Sequence, residues 1–249
     1  MKLFNIPNII TLLNALAGFV GISFALKGNW RMAFYMVLLA AILDFFDGLA
    51  ARLLNQKSSI GKELDSLADA ISFGVLPGFI MFDLLFNSIN LPRTVWVFDY
   101  FALNPIPYIA GLIPLFSILR LAKFNLDEEQ SKNFKGLASP ANAFLIASFS
   151  VCMHVFCKCD PFVKFLDSYQ FLIGLTILSS ILLISNIPMF SLKLSSLKWK
   201  DNAVQYIFLA SSLVIFMLSF PHWYLALSLI IIYYILLSVF WKLVLKKEF

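Results

Sequence analysis

Four aspartates stand where carboxylates are costly. Asp44, Asp47, Asp65 and Asp69 fall within otherwise apolar stretches, and ionisable side chains inside membrane segments are rare and usually functional. Residues 44–52 read Asp44-Phe-Phe-Asp47-Gly48-Leu-Ala-Ala51-Arg52. At about 100° per residue, Asp44, Asp47, Gly48 and Ala51 share one narrow helical stripe. The small residues on that stripe let a second helix or a ligand approach closely. Further along, Gly61, Asp65 and Asp69 follow at i, i+4 and i+8, again on one face. Two adjacent antiparallel helices would turn four carboxylates toward one point near one membrane face. Four anions in a low-dielectric site require cations. Hard oxygen ligands suit Mg²⁺ or Mn²⁺, and a pair of such ions is the usual clamp for displacement at phosphorus.

Two other roles for these aspartates fit less well. Ion pairing with basic side chains fails on supply: only Arg52, Lys57 and Lys62 lie near in sequence, against four Asp and Glu63. A divalent-cation transporter also places carboxylates in its spans, but it leaves Gly48, Ala51, Arg52 and Gly61 without a role. Elsewhere chemistry is sparse. Cys152, His154, Cys157 and Cys159 form a run without the paired spacing of common zinc sites; small residues at a helix end account for it. His222, beside Pro221 in an outer turn, is assigned no function.

The elements that carry the aspartates must be membrane helices. Of 249 residues, 61% are hydrophobic and 13% charged, about half the charge of a soluble domain, which carries roughly 25%. A spanning helix needs about 20 apolar residues, and eight stretches qualify: 9–26, 31–52, 65–86, 99–120, 137–157, 168–187, 203–220 and 222–241. The first lacks a signal-peptide cleavage site and is expected to be retained. The net charge of +5 does not imply nucleic acid, because the basic residues lie in loops and set orientation. With the N-terminus in the cytoplasm, 14 of the 19 Lys and Arg fall on the cytoplasmic side, including Arg52, Lys62, Arg120, Lys123 and Lys135. Both termini and the site are then cytoplasmic. Trp30, Trp96 and Trp223 are expected near the interfaces. The sequence thus predicts an all-α polytopic transmembrane bundle. A six-helix catalytic core occupies residues 1–187, and a loop with an appended two-helix hairpin occupies 188–249.

The pattern Asp44-x2-Asp47-Gly48-x2-Ala51-Arg52-x8-Gly61-x3-Asp65-x3-Asp69 resembles the signature of the CDP-alcohol phosphatidyltransferases at all eight fixed positions. The resemblance implies a six-helix core, a homodimer and two divalent ions. It implies that Asp44, Asp47 and Asp65 are the main metal ligands and that Asp69 is a ligand or the general base. Gly48, Ala51, Arg52 and Gly61 would line the CDP pocket. An alcohol is a weak nucleophile until a base accepts its proton. Direct displacement with CMP leaving is therefore expected.

Four more stretches narrow the resemblance. They are Ile6-Pro7-Asn8-x2-Thr11-x2-Asn14, Ser72-Phe73-Gly74-Val75-x-Pro77, Arg120-Leu-Ala-Lys123-Phe124-Asn125 and Phe134-x-Gly136-Leu137-x-Ser139-Pro140-Ala141. Together they are similar to the membrane-embedded phosphatidylserine synthases. Lys123 and Ala138 depart from that pattern, where Arg and Pro are common. The resemblance implies CDP-diacylglycerol and L-serine as substrates, with Asn8 and Thr11 at the lipid donor. It points to Arg120, Lys123, Asn125 and Ser139 for serine, whose carboxylate suits a guanidinium. On residue chemistry alone, Arg120 and Lys123 serve equally as membrane anchors, and Asn8, Thr11 and Asn14 as helix-packing groups. Glycerol 3-phosphate or inositol as acceptor stays open.

Overall fold

The computed structural model describes residues 4–56, 58–89, 105–126, 134–156, 160–190, 202–220 and 222–245. The helices are α1 (Ile6–Leu26), α2 (Trp30–Leu53), α3 (Ser59–Asp69), α4 (Leu76–Ser88), α5 (Leu112–Leu126), α6 (Ser139–Val155), α7 (Pro161–Leu166), α8 (Tyr169–Ile184), α9 (Ala203–Leu218) and α10 (Trp223–Leu245). A π-helical turn, Ala70–Val75, joins α3 to α4, and a 3₁₀ turn, Ile106–Gly111, leads into α5. Two short strands, β1 (Phe134–Lys135) and β2 (Pro188–Met189), pair antiparallel.

Among the described residues, five helices are long and apolar enough to cross a membrane: Ile6–Leu26, Trp30–Leu53, Ser59–Ser88, Ile106–Leu126 and Trp223–Trp241. Ser139–Val155, Tyr169–Ile184 and Ala203–Leu218 are apolar but shorter. The chain is an all-α, multi-pass membrane protein.

Local chemistry explains where the helices nearest the site begin. Asn5 caps α1 by accepting the Asn8 N–H at 2.9 Å, and Pro7 sits in the first turn, where its missing N–H costs nothing. Ser58 caps α3 through the Gly61 N–H at 3.1 Å. Between them, Asn55 takes φ 52° just past α2, a left-handed position that Asn tolerates after a helix.

The core is built on small residues of α1 and α2. Ala17, Ala25, Ala33, Val37 and Ala40 are buried between them. Gly18 lets α1 meet the π-helical turn: a Cβ there would lie 2.6 Å from Ser72 Oγ and 2.9 Å from Ser72 Cα. That approach lets the Ser72 hydroxyl donate to the Asn14 carbonyl at 2.9 Å.

Several expectations are corrected. The fourth span lies further along the chain, at Ile106–Leu126, and residues 99–104 lie outside the described ones. Arg120 therefore sits within α5, not at its end. The last helix also touches the core. α10 packs along α6, with Ser228 Oγ 2.7 Å from Ser148 Oγ, and sets Trp223 against Phe34 of α2 with ring centroids 5.4 Å apart. Trp30, the first residue of α2, is 7% exposed and so packs inside the protein. Its indole N–H donates to the buried Asp83 carboxylate, which also accepts from Asn87 Nδ2 at 2.9 Å. This pairing ties α2 to α4. Trp96 lies outside the described residues.

Two members of the cysteine run are described. Cys152 is buried in the core. His154 is exposed, with its ring edge-on to Trp30 at 5.7 Å. Cys157 and Cys159 lie outside the described residues.

Candidate active site

The aspartates gather at the end of the bundle where α2 stops and α3 begins. Asp44, Asp47 and Asp65 each place a carboxylate oxygen within 4.8 Å of the others. Asp47, 5% exposed, is oriented by α1: the Thr11 hydroxyl donates to its Oδ2 at 2.6 Å. Asp65 Oδ1 is buried with no hydrogen-bond partner. The basic neighbours turn elsewhere. Arg52 Nε donates to the Gly48 carbonyl at 2.9 Å, and Lys62 Nζ to the Asn125 carbonyl at 3.0 Å; Lys57 lies outside the described residues. A buried, unsatisfied carboxylate oxygen beside two more carboxylates is the donor set of a hard divalent cation. These three residues fit one.

Asp69 stands outside that trio, at the last residue of α3. Its Oδ1 accepts from Asn14 Nδ2 at 3.3 Å, and Asn14 Oδ1 is buried without a partner. The π-helical turn starts at the next residue, and such turns recur at functional sites. The helix α5, which carries Arg120, packs against the π-helical turn that follows Asp69. Arg120 Nη1 donates to Ser139 Oγ at 3.3 Å, and its Nε is buried and unbonded.

A cavity of about 620 Å³ opens beside the trio, within the roughly 300–1,000 Å³ typical of ligand pockets. Asn8, Thr11, Asp47, Gly48, Ala51, Arg52, Gly61 and Asp65 line it, with Pro7, Gln56, Ser58, Ser59 and Lys62. All six residues predicted for the CDP-lipid are therefore brought to one space. Gly48 opens onto it: a Cβ there would meet only Arg52 Nη2, at 3.9 Å. Gly61 is tighter, with Ser58 Oγ and Asn8 Oδ1 at 3.1 and 3.2 Å from a Cβ.

The four residues predicted for serine separate. Arg120 and Ser139 are in contact. Lys123 is exposed and donates to Asn186 Oδ1 at 3.2 Å, and Asn125 Nδ2 donates to Ser66 Oγ at 2.8 Å. Lys123 and Asn125 thus brace α5 against the end of α8 and against α3. The sequence also passes over Asn142, which is fully buried on α6 with both amide atoms unbonded. Its signal was a lone amide in an apolar helix one turn after Ser139.

The family model for CDP-alcohol phosphatidyltransferase matches residues 4–183. The chain belongs to the CDP-alcohol phosphatidyltransferase family. Among curated family members, it is 32% identical over 192 residues to the CDP-diacylglycerol–serine O-phosphatidyltransferase of Mycobacterium leprae, covering 74% of this chain and 57% of that protein. It is 36% identical over 139 residues to the enzyme of the same name from Bacillus subtilis, covering 54% and 69% respectively. Identity to the archaetidylserine synthase of Methanothermobacter thermautotrophicus is 34% over 148 residues, covering 58% of this chain and 57% of that one. The chain thus spans less than two thirds of the length of two of these relatives. The CDP-alcohol phosphatidyltransferase match takes in the trio, Asp69 and Arg120, and it ends before α9 and α10.

Proposed function

We propose that the protein transfers the phosphatidyl group of CDP-diacylglycerol to L-serine, forming phosphatidylserine and releasing CMP. The observation that carries this is the group of three carboxylates beside a cavity lined by every residue expected at the CDP-lipid. The names of the relatives support the same reaction. Residues 1–187 would supply the catalytic core.

The donor's cytidine diphosphate lies in the cavity between α1, α2 and α3, against Gly48, Ala51 and Gly61, with Arg52 and Asn8 at its polar edge. Asp44, Asp47 and Asp65 hold divalent metal, Mg²⁺ or Mn²⁺ and two ions per site, with Thr11 fixing Asp47. When bound, the metal neutralises charge on the pyrophosphate and the leaving group. Asp69 accepts the proton of the serine hydroxyl. The serine oxygen bonds to the phosphatidyl phosphorus as the bond from that phosphorus to the oxygen of CMP breaks. Asn14 keeps Asp69 aimed. Arg120 takes the serine carboxylate, and Ser139 holds the guanidinium through Nη1. Nothing in this exchange needs a covalent enzyme intermediate.

A guanidinium also takes phosphate, so CMP release must be compared with serine, glycerol 3-phosphate and inositol. Serine is the expected acceptor, and turnover with glycerol 3-phosphate or inositol in its place would reject the assignment. Arg120→Ala is expected to raise the KM for serine about 10- to 100-fold, the loss of a charge-assisted bond of roughly 1.5–3 kcal/mol, with the KM for CDP-diacylglycerol little changed. Equal rises in both would make Arg120 a helix anchor.

The positive-inside bias puts both termini and the site on the cytoplasmic side of eight crossings. In a variant without native cysteines, Gln56→Cys should resist a membrane-impermeant thiol reagent in intact cells and react after permeabilisation; labelling from outside would overturn the topology. A homodimer is proposed from the family resemblance, and light scattering in detergent showing a single chain per particle would contradict it.

A further inference from the structure

Helix α10 lies beyond residue 183, where the family match ends, yet it reaches the acceptor side of the site. Tyr234, on α10, is half-buried among Phe190, Phe208 and their neighbours, with its ring centroid 4.7 Å from that of Phe190. Its hydroxyl donates to the Phe190 carbonyl at 2.9 Å. Phe190 directly follows β2, and β2 pairs with β1 just ahead of Gly136. Gly136, at φ 77°, donates its N–H to the Ile187 carbonyl at 2.8 Å; a Cβ there would strike the Leu183 carbonyl oxygen at 2.7 Å. Three residues on is Ser139, which accepts from Arg120. A bonded path therefore runs from α10 to the guanidinium through the two-stranded ribbon.

We infer that Tyr234 is a positioning residue that holds the Arg120 guanidinium in place for the acceptor carboxylate, so that the last helix sets acceptor affinity. The inference rests on the assignment of Arg120 to the acceptor. Such a device leaves the trio, Asp69 and the donor cavity untouched. Its loss should act on one substrate only.

The test is steady-state CMP release by the full chain in detergent–lipid micelles, varying serine and CDP-diacylglycerol separately. Tyr234→Phe keeps the ring and removes the hydroxyl. It should raise the KM for serine about 3- to 10-fold, the size expected for one lost hydrogen bond, with kcat and the KM for CDP-diacylglycerol unchanged. Tyr233→Phe, on the preceding residue, should leave all three unchanged. In an Arg120→Ala background, Tyr234→Phe should add nothing further, because the two changes share one path. A full additional rise in that background would overturn the inference, as would a fall in kcat with both KM values moving together. If Arg120→Ala itself leaves the serine KM unchanged, the acceptor assignment fails and this inference fails with it. If Arg120→Ala raises it and Tyr234→Phe does not, this inference alone is rejected.

Discussion

Asp69→Asn is expected to lower turnover by about 10²–10⁴-fold, the usual contribution of a general base, while CDP-diacylglycerol still binds. The amide has the shape of the carboxylate and keeps an Oδ1 to accept from Asn14, now at 3.3 Å. It cannot take the serine proton. The cost should therefore fall on kcat, because the base acts as the serine–phosphorus bond forms, not when substrates bind. Asp69 also stands outside the three carboxylates whose oxygens lie within 4.8 Å of one another. Of its two implied roles, base and metal ligand, that placement favours base, so metal affinity should survive the change. Rates of CMP release, together with donor-dependent protection against thermal unfolding, separate the possibilities. Near-normal kcat removes Asp69 from the reaction. Loss of donor protection makes it part of the binding site.

The aspartate pattern was legible because two constraints act on it together. The helical period places Asp44, Asp47 and Gly48 on one stripe, and the cost of carboxylates in a bilayer makes chance placement improbable. Gly48, Ala51 and Gly61 share the aspartates' faces by the same spacing and line one cavity, whereas a CDP ligand for it was implied by the family resemblance alone. What stayed hidden depends on contacts between residues far apart in sequence. Asn14 reaches Asp69 across 55 positions, and Lys123 reaches Asn186 across 63. No local spacing encodes either bond. Lys123 had looked like a companion to Arg120 because three residues separate them on one helix. Its exposed side chain instead finds the amide at the end of α8.

The register of α5 shows a different limit. Hydropathy alone placed the fourth span at 99–120, because apolar residues lie on both sides of Asn104, Pro105 and Pro107. In the structure those prolines stand at and just inside the start of a 3₁₀ turn, and the helix carries on to Leu126. The difference moves Arg120 from a helix end, where a membrane anchor would sit, to a half-buried place inside α5, in contact with Ser139. The π-helical turn after Asp69 likewise has no signature of its own in Ala70–Val75. Tertiary packing specifies it, through Gly18 against Ser72 and Gly74 against Ser117, where a Cβ at Gly74 would lie 3.1 Å from the serine Cβ.

Chelation of divalent ions is expected to abolish turnover, and Mg²⁺ or Mn²⁺ to restore it. The stronger test is stability, because it does not require the reaction. Asp44, Asp47 and Asp65 crowd three carboxylates together, and the Asp65 Oδ1 is buried without a hydrogen bond. Without a cation that arrangement opposes folding, through like-charge repulsion and an unsatisfied buried oxygen. A cation bound only by the folded state adds RT ln(1 + [L]/Kd), or about 2.7 kcal/mol at a concentration of 100 Kd. The melting temperature of the wild-type protein should therefore rise with added metal and fall with chelator. Asp65→Asn removes a charge and a ligand together. It should melt no lower than the wild type in chelator, show a much smaller rise with metal, and have no measurable turnover. Thr11→Val takes away the 2.6 Å bond that aims Asp47 but leaves every ligand in place. It should keep most of its maximal rate while needing about 10- to 100-fold more metal to reach it, as for other residues that orient a metal ligand. Full activity in chelator, or a metal-dependent rise in melting temperature that Asp65→Asn leaves intact, would take the metal away from these three carboxylates.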